Sequence, residues 1–245
     1  MSTCEARIST SVISGFSREG TSRRPSVATA AGTITNGTAF NATAGTTNLN
    51  NATSLGTLTN VTLSTGATVN LGASQTFGAL NGSGGTLNLN ANTLTVGSTN
   101  NLSGTYGGSI QGTGNLTKAG SGTLTLTSDN SYSGTTTVNA GALNLQSNAA
   151  AGTGAITVGA SGTLQIQGGN VNVANDITLA GGTLQSVSGD NNQVSGDITL
   201  TSPSSIVSSA AGQTLIVGDF ISPGVTTDLA LGTNTLTVSG AGNIT

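Results

Sequence analysis

From Ala31 onward the chain repeats one short phrase, a Gly-Thr-Leu opening followed by one or two alternating aliphatics and a small polar turn. Gly56-Thr57-Leu58, Gly85-Thr86-Leu87, Gly122-Thr123-Leu124, Gly162-Thr163-Leu164 and Gly182-Thr183-Leu184 are its clearest copies. Between them stand aliphatic pairs separated by one polar residue, among them Leu94 and Val96, Leu124 and Leu126, Leu143 and Leu145, Ile156 and Val158, Leu164 and Ile166, and Ile177 and Leu179. Alternation with period two marks a strand with one buried face. The bursts begin about 6 to 14 residues apart, too close for intervening helices, which excludes a βαβ arrangement.

Self-similarity at multiples of roughly 20 residues, as in Gly162–Leu164 against Gly182–Leu184, favours a solenoid over an antiparallel sandwich. The expected fold is all-β, a right-handed parallel β-helix forming a single elongated rod over residues 31–245. Some ten coils stacked at roughly 4.8 Å would make it on the order of 50 Å long. The alternation points the aliphatics inward and Asn88, Thr125, Asn144, Thr157, Gln165, Asn172 and Thr178 outward. Gly and Asn at the corners supply the left-handed conformations that sharp turns need.

Composition agrees. The chain has 38 Gly, 44 Thr, 5% charged and 2% aromatic residues, which leaves neither a charged helix surface nor a core built on rings. A thin column of stacked Leu, Ile and Val is expected to have little room for rings. Glu5, Arg7, Arg18, Glu19, Arg23 and Arg24 crowd into the opening segment, so the remainder, with Lys118 and six Asp, carries -5 of the overall -3 once the opening's +2 is removed. That body has no basic patch for a phosphate backbone or an anionic bilayer, and no nucleic-acid partner is expected. Cys4 alone supplies a thiol and there is no His, so stability must come from packing rather than disulfides or zinc.

Residues 1–30 read as an atypical N-terminal segment, disordered or a gene-boundary artefact. Ile8 to Phe16 is weakly apolar and Ala28-Thr29-Ala30 has the small residues of a cleavage site, a faint likeness to an export signal. No window approaches the roughly 18 apolar residues of a membrane span, so no membrane insertion by this chain is expected.

Residues 114–143 read Gly-Asn-Leu-Thr-Lys-Ala-Gly-Ser-Gly-Thr-Leu-Thr-Leu-Thr-Ser-Asp-Asn-Ser-Tyr-Ser-Gly-Thr-Thr-Thr-Val-Asn-Ala-Gly-Ala-Leu. This stretch resembles the passenger-associated β-strand repeat of bacterial autotransporters. The pattern is matched at Leu116, Lys118, Gly120, Gly122, Thr123, Leu124, Leu126, Asn130, Tyr132, Gly134, Val138, Gly141 and Leu143, while Ser128 and Ala142 depart from it. The closing Gly240-Ala241-Gly242-Asn243-Ile244-Thr245 echoes Gly112-Thr113-Gly114-Asn115-Leu116-Thr117, as if another copy were beginning in a chain truncated at its C-terminus. The resemblance implies a stalk or scaffold segment of a surface-displayed or secreted passenger, at the cell surface or outside the cell, presenting adhesive regions.

No catalytic, cofactor-binding or metal-binding residue is assigned, and an enzyme is not expected. Asp129, Asp176, Asp190, Asp197, Asp219 and Asp228 are scattered with Lys118 as their sole basic companion, unlike the clustered carboxylates of polysaccharide-degrading β-helices. Turn formation accounts for them better than calcium, because the nonapeptide of calcium-binding β-rolls is absent. Two binding alternatives stand beside the stalk. One is an adhesin module that takes glycans or host surfaces directly; the other is an ice-binding Thr array, weakened by Asn, Gln and Ser in the rows. A nearly uncharged rod with unpaired strand edges is also expected to self-associate end to end.

Overall fold

The computed structural model describes residues 6–8, 29–35, 39–52, 55, 60–98, 101–217, 229–230 and 234–245. Among them there is no helix, and the strands stack in parallel as a β-solenoid of about eight turns. At roughly 4.8 Å per coil, eight turns give a stack of about 40 Å. The opening residues 1–5 and 9–28, with Cys4 and most of the charges of that segment, lie outside the described residues.

Each coil presents three faces. On the first, Gln75–Phe77, Leu94–Val96, Leu116–Lys118, Thr136–Leu145, Ile156–Gln167, Ile177–Ala180, Ile198–Ser202 and Leu229–Ala230 follow one another in a parallel ladder. On the second, Gly104–Tyr106 pairs with Thr123–Leu126, which continues through the later halves of Thr136–Leu145 and Ile156–Gln167 to Thr183–Ser188, Ser204–Ser208 and Leu236–Ser239. The third carries Ala67–Leu71, Thr86–Asn88 and Ser109–Gln111 at one end, and Asn172–Val173, Asn192–Val194, Thr214–Val217 and Asn243–Ile244 at the other. Two strands, Thr136–Leu145 and Ile156–Gln167, serve the first and second faces without a break, bending at an irregularity between Val138 and Ala140. Antiparallel pairing occurs at the N-terminal edge, where Ala6–Ile8 lies on Thr29–Thr35 and that strand on Ala39–Leu49.

The core follows from the alternation. Leu124, Leu143, Leu164, Leu184 and Ile206 stand above one another in register, all buried in a single apolar cluster that extends from Phe40 to Leu215. A lone coil could not hide such an edge; each is covered only by its neighbours. Two expectations are corrected here. Rings do enter the column, since Tyr106, Tyr132, Phe40 and Phe77 are the largest fully buried side chains. Asn144 sits outside the Leu143–Leu145 pair as expected yet is 4% exposed, because the longer amides of the next coil cover it.

Candidate functional site

A functional surface on a solenoid is built by repetition, so the in-register outer columns come first. On the first face Thr76, Thr95, Thr117, Thr137, Thr157, Thr178 and Thr199 pair one above another without interruption. All seven lie outside the apolar column and retain solvent exposure. The sequence reading had Asn, Gln and Ser interrupting the rows, and this row contains none of them. Among the described residues, charge enters the outward positions beside this column at Asp176 and Asp197.

The second face carries amides instead. Asn144 Nδ2 donates to Gln165 Oε1 at 3.3 Å and to Gln167 Oε1 at 2.9 Å; Gln165 Nε2 donates to Gln185 Oε1 at 2.9 Å, and Gln185 Nε2 to Ser209 Oγ at 2.7 Å. A second, shorter amide stack sits on the third face, where Asn70 Nδ2 donates to Asn48 Oδ1 at 2.8 Å. These amides bond from coil to coil and knit the face into a wall, with the Asn144 Oδ1 buried and unpaired within it. Near the earlier coils a shallow trough of about 480 Å³ is lined by Gly82, Ser83, Thr105, Gly107, Thr127 and Ser128, offering hydroxyls and backbone but no titratable group.

The described aspartates do not converge. Asp129 accepts from the Ser147 hydroxyl and, at 3.0 Å, from the Ala149 N–H, and these bonds hold its carboxyl below the usual range. Asp176 Oδ1 accepts the Asp197 N–H at 3.2 Å. Asp190 Oδ1 accepts the N–H groups of Asn191 and Thr214 at 2.9 and 3.0 Å. Asp129, Asp176 and Asp190 each accept a backbone N–H of the neighbouring coil at a corner, as turn-forming aspartates do. Asp219 and Asp228 lie outside the described residues. No group of three or more His, Cys, Asp or Glu suited to a metal occurs among the described residues, and no helix there is long and apolar enough to cross a membrane.

The motif residues of 114–143 turn inward. Asn130 is buried, with Oδ1 accepting the Ile110 N–H at 2.7 Å and Nδ2 donating to the Ala150 carbonyl at 2.6 Å, so one carboxamide joins three coils. Tyr132 is buried with its hydroxyl 2.6 Å from Thr136 Oγ1, and its ring lies where a side chain at Gly152 would otherwise stand. Gly134 has the Gly114 carbonyl 2.2 Å from where a Cβ would be, a distance no side chain tolerates. Lys118 is fully buried and donates to the carbonyls of Ala119, of Gly120 at 2.8 Å and of Ala140 at 3.3 Å. Burial pulls its amine down to about 8. Lys118, the sole basic companion of the scattered aspartates in the sequence, is thus an interior group; its type gave no hint, since lysine is seldom fully buried.

A family model for the passenger-associated-transport-repeat matches residues 116–145. No curated protein and no solved structure matches the chain. With the matched residues devoted to joining coils, this chain is a parallel β-solenoid carrying a passenger-associated-transport-repeat, an arrangement consistent with an autotransporter passenger repeat.

Proposed function

We propose that this chain is a stalk segment of a surface-displayed or secreted autotransporter-like passenger, holding adhesive regions away from a bacterial cell. The observation that carries the reading is the fate of the repeat residues: Lys118, Asn130 and Tyr132 are all buried and bonded within the wall, so the repeat's chemistry is consumed in rigidity. The work is reach. Each coil adds roughly 4.8 Å, and its burial on the preceding coil supplies a free-energy gain at every step of folding outside the cell.

The test is a ruler experiment. The chain is fused between an epitope and an outer-membrane translocator, and the height of the epitope above the membrane is measured by fluorescence quenching. Removing residues 157–198, two coils in register, should lower the epitope by roughly 10 Å. An unchanged height would count against a stalk. Direct adhesion, through the trough at Ser83, Thr105 and Thr127, is the binding alternative, read on a glycan array; the end-to-end partner is a second copy, read by light scattering.

The unbroken Thr column favours a second reading. Seven hydroxyls and seven methyls at one regular spacing present a repeating lattice with no charge between Thr76 and Thr157, the kind of surface an ordered water layer or ice plane meets. Thermal hysteresis in the purified chain, abolished by Thr117→Lys and Thr137→Lys together, would support it.

A further inference from the structure

Lys118 stands in an inward column made otherwise of Phe77, Val96, Val138, Val158, Leu179 and Leu200. An ammonium in an apolar column is costly unless its protons are met, and lysine offers three donors and no acceptor. Three acceptors meet it, the carbonyls of Ala119 and Gly120 from its own coil and of Ala140 from the next. The preceding coil contributes room: a Cβ on Gly97 would come within 3.1 Å of Nζ. Burial is the cause of its altered basicity, with no carboxylate offsetting it.

The local chain path explains why the Ala119 and Gly120 carbonyls are available. In the following two coils a single strand runs through this corner, as Thr136–Leu145 and Ile156–Gln167, with a register irregularity between Val138 and Ala140 that leaves the Ala140 carbonyl to Lys118. In the coil of Lys118 the strand stops at Lys118 and restarts at Thr123. Gly120, with φ of +65°, turns the intervening backbone so that consecutive carbonyls face one point.

We propose that the carbonyls of Ala119, Gly120 and Ala140 form a primary-amine site, filled by the side chain of Lys118, that pins this corner of the solenoid to the next coil. Cutting the side chain back leaves a cage that accepts a small primary ammonium and excludes a quaternary one, which has no N–H to donate.

Lys118 is the only lysine in the chain, so protein labelled with 15N-lysine gives one Nζ resonance. In the folded chain its protons should exchange with water at least tenfold more slowly than those of free lysine, and the protection should vanish in urea. Exchange as fast as in free lysine would overturn the proposal. Lys118→Met keeps the stem and removes the donors; amide exchange at Ala119 and Ala142 should then accelerate at least tenfold, and rates equal to the parent's would overturn it. For Lys118→Ala, methylammonium should raise the urea midpoint where tetramethylammonium at equal ionic strength does not. An equal response to the two salts would also overturn it, and if that variant fails to fold, the Nζ resonance of the parent decides.

Discussion

The side chain of Asn130 accepts the backbone N–H of Ile110 at 2.7 Å, although the two residues belong to different coils. The same carboxamide donates to Ala150 on the other side at 2.6 Å and to Ser128 at 3.3 Å. An asparagine is the right group because it offers an acceptor and donors from one planar end. Here the ladder of the third face lacks a regular strand, and the side chain takes the place of backbone pairing.

Asn130→Ala should therefore destabilise the solenoid by about 3 kcal/mol, since it orphans a buried N–H and a buried carbonyl at once. Asn130→Asp should be worse than its size suggests: it keeps the Ile110 bond but sets a carboxylate against the Ala150 carbonyl. Urea unfolding of both variants checks this, and an Asp variant as stable as the parent would contradict it.

Alkaline pH should first strengthen and then weaken the fold. Lys118 titrates near 8 in the folded chain against 10.5 ordinarily, so between those values the unfolded chain holds a proton that the folded chain has released, and stability rises with pH. The neutral amine still donates two protons to its carbonyls, so the corner stays joined. Burial pushes the phenols of Tyr106 and Tyr132 well above their ordinary value; above about pH 10 the unfolded chain ionises them while the folded chain does not, and stability falls. Urea midpoints from pH 7 to 11 should pass through a maximum. Lys118→Met should lose the climb and Tyr132→Phe should soften the decline.

Leu164 lies between Leu143 and Leu184 in the second-face column and is fully buried. Leu164→Ala should cost about 2 to 5 kcal/mol. Combined with Leu143→Ala, the two losses should depart from additivity by about 0.5 kcal/mol or more, because the cavities merge. Thermal or urea unfolding of the four proteins measures the coupling.

Asp129 is held below the usual carboxylate range by the Ser147 hydroxyl first and the Ala149 N–H second. Its contribution is present above the ordinary value and lost as pH falls through the lower folded one. The group is exposed, so the effect should be local: Asp129→Asn should speed exchange of the Ala149 amide at neutral pH and leave the global midpoint within about 0.5 kcal/mol of the parent.

The fold was legible in the chain because period two is a local property. Leu124, Leu126, Leu164 and Ile166 were assigned inward from their own neighbours alone, and all four have no exposure. What depends on stacking was hidden. The Thr column advances by steps of 19, 22, 20, 20, 21 and 21 residues from Thr76 to Thr199, so uneven corners disguise an even row. The covering of Asn144 requires knowing that Gln165 and Gln167 stand beside it one coil away. The repeat motif marked Lys118 and Asn130 as special, yet only the register shows which carbonyls they answer to.

The bend between Val138 and Ala140 lets two coils turn a corner inside continuous strands, while the corner after Leu145 turns through residues 146–155 outside any strand. Foreign cargo grafted in that stretch would interrupt no strand, provided that it spares the Ala149 and Ala150 backbone that answers Asp129 and Asn130. The same cargo placed after Asn139 would split a strand shared by two faces. The rod thus has seams that accept passengers of their own and ribs that do not.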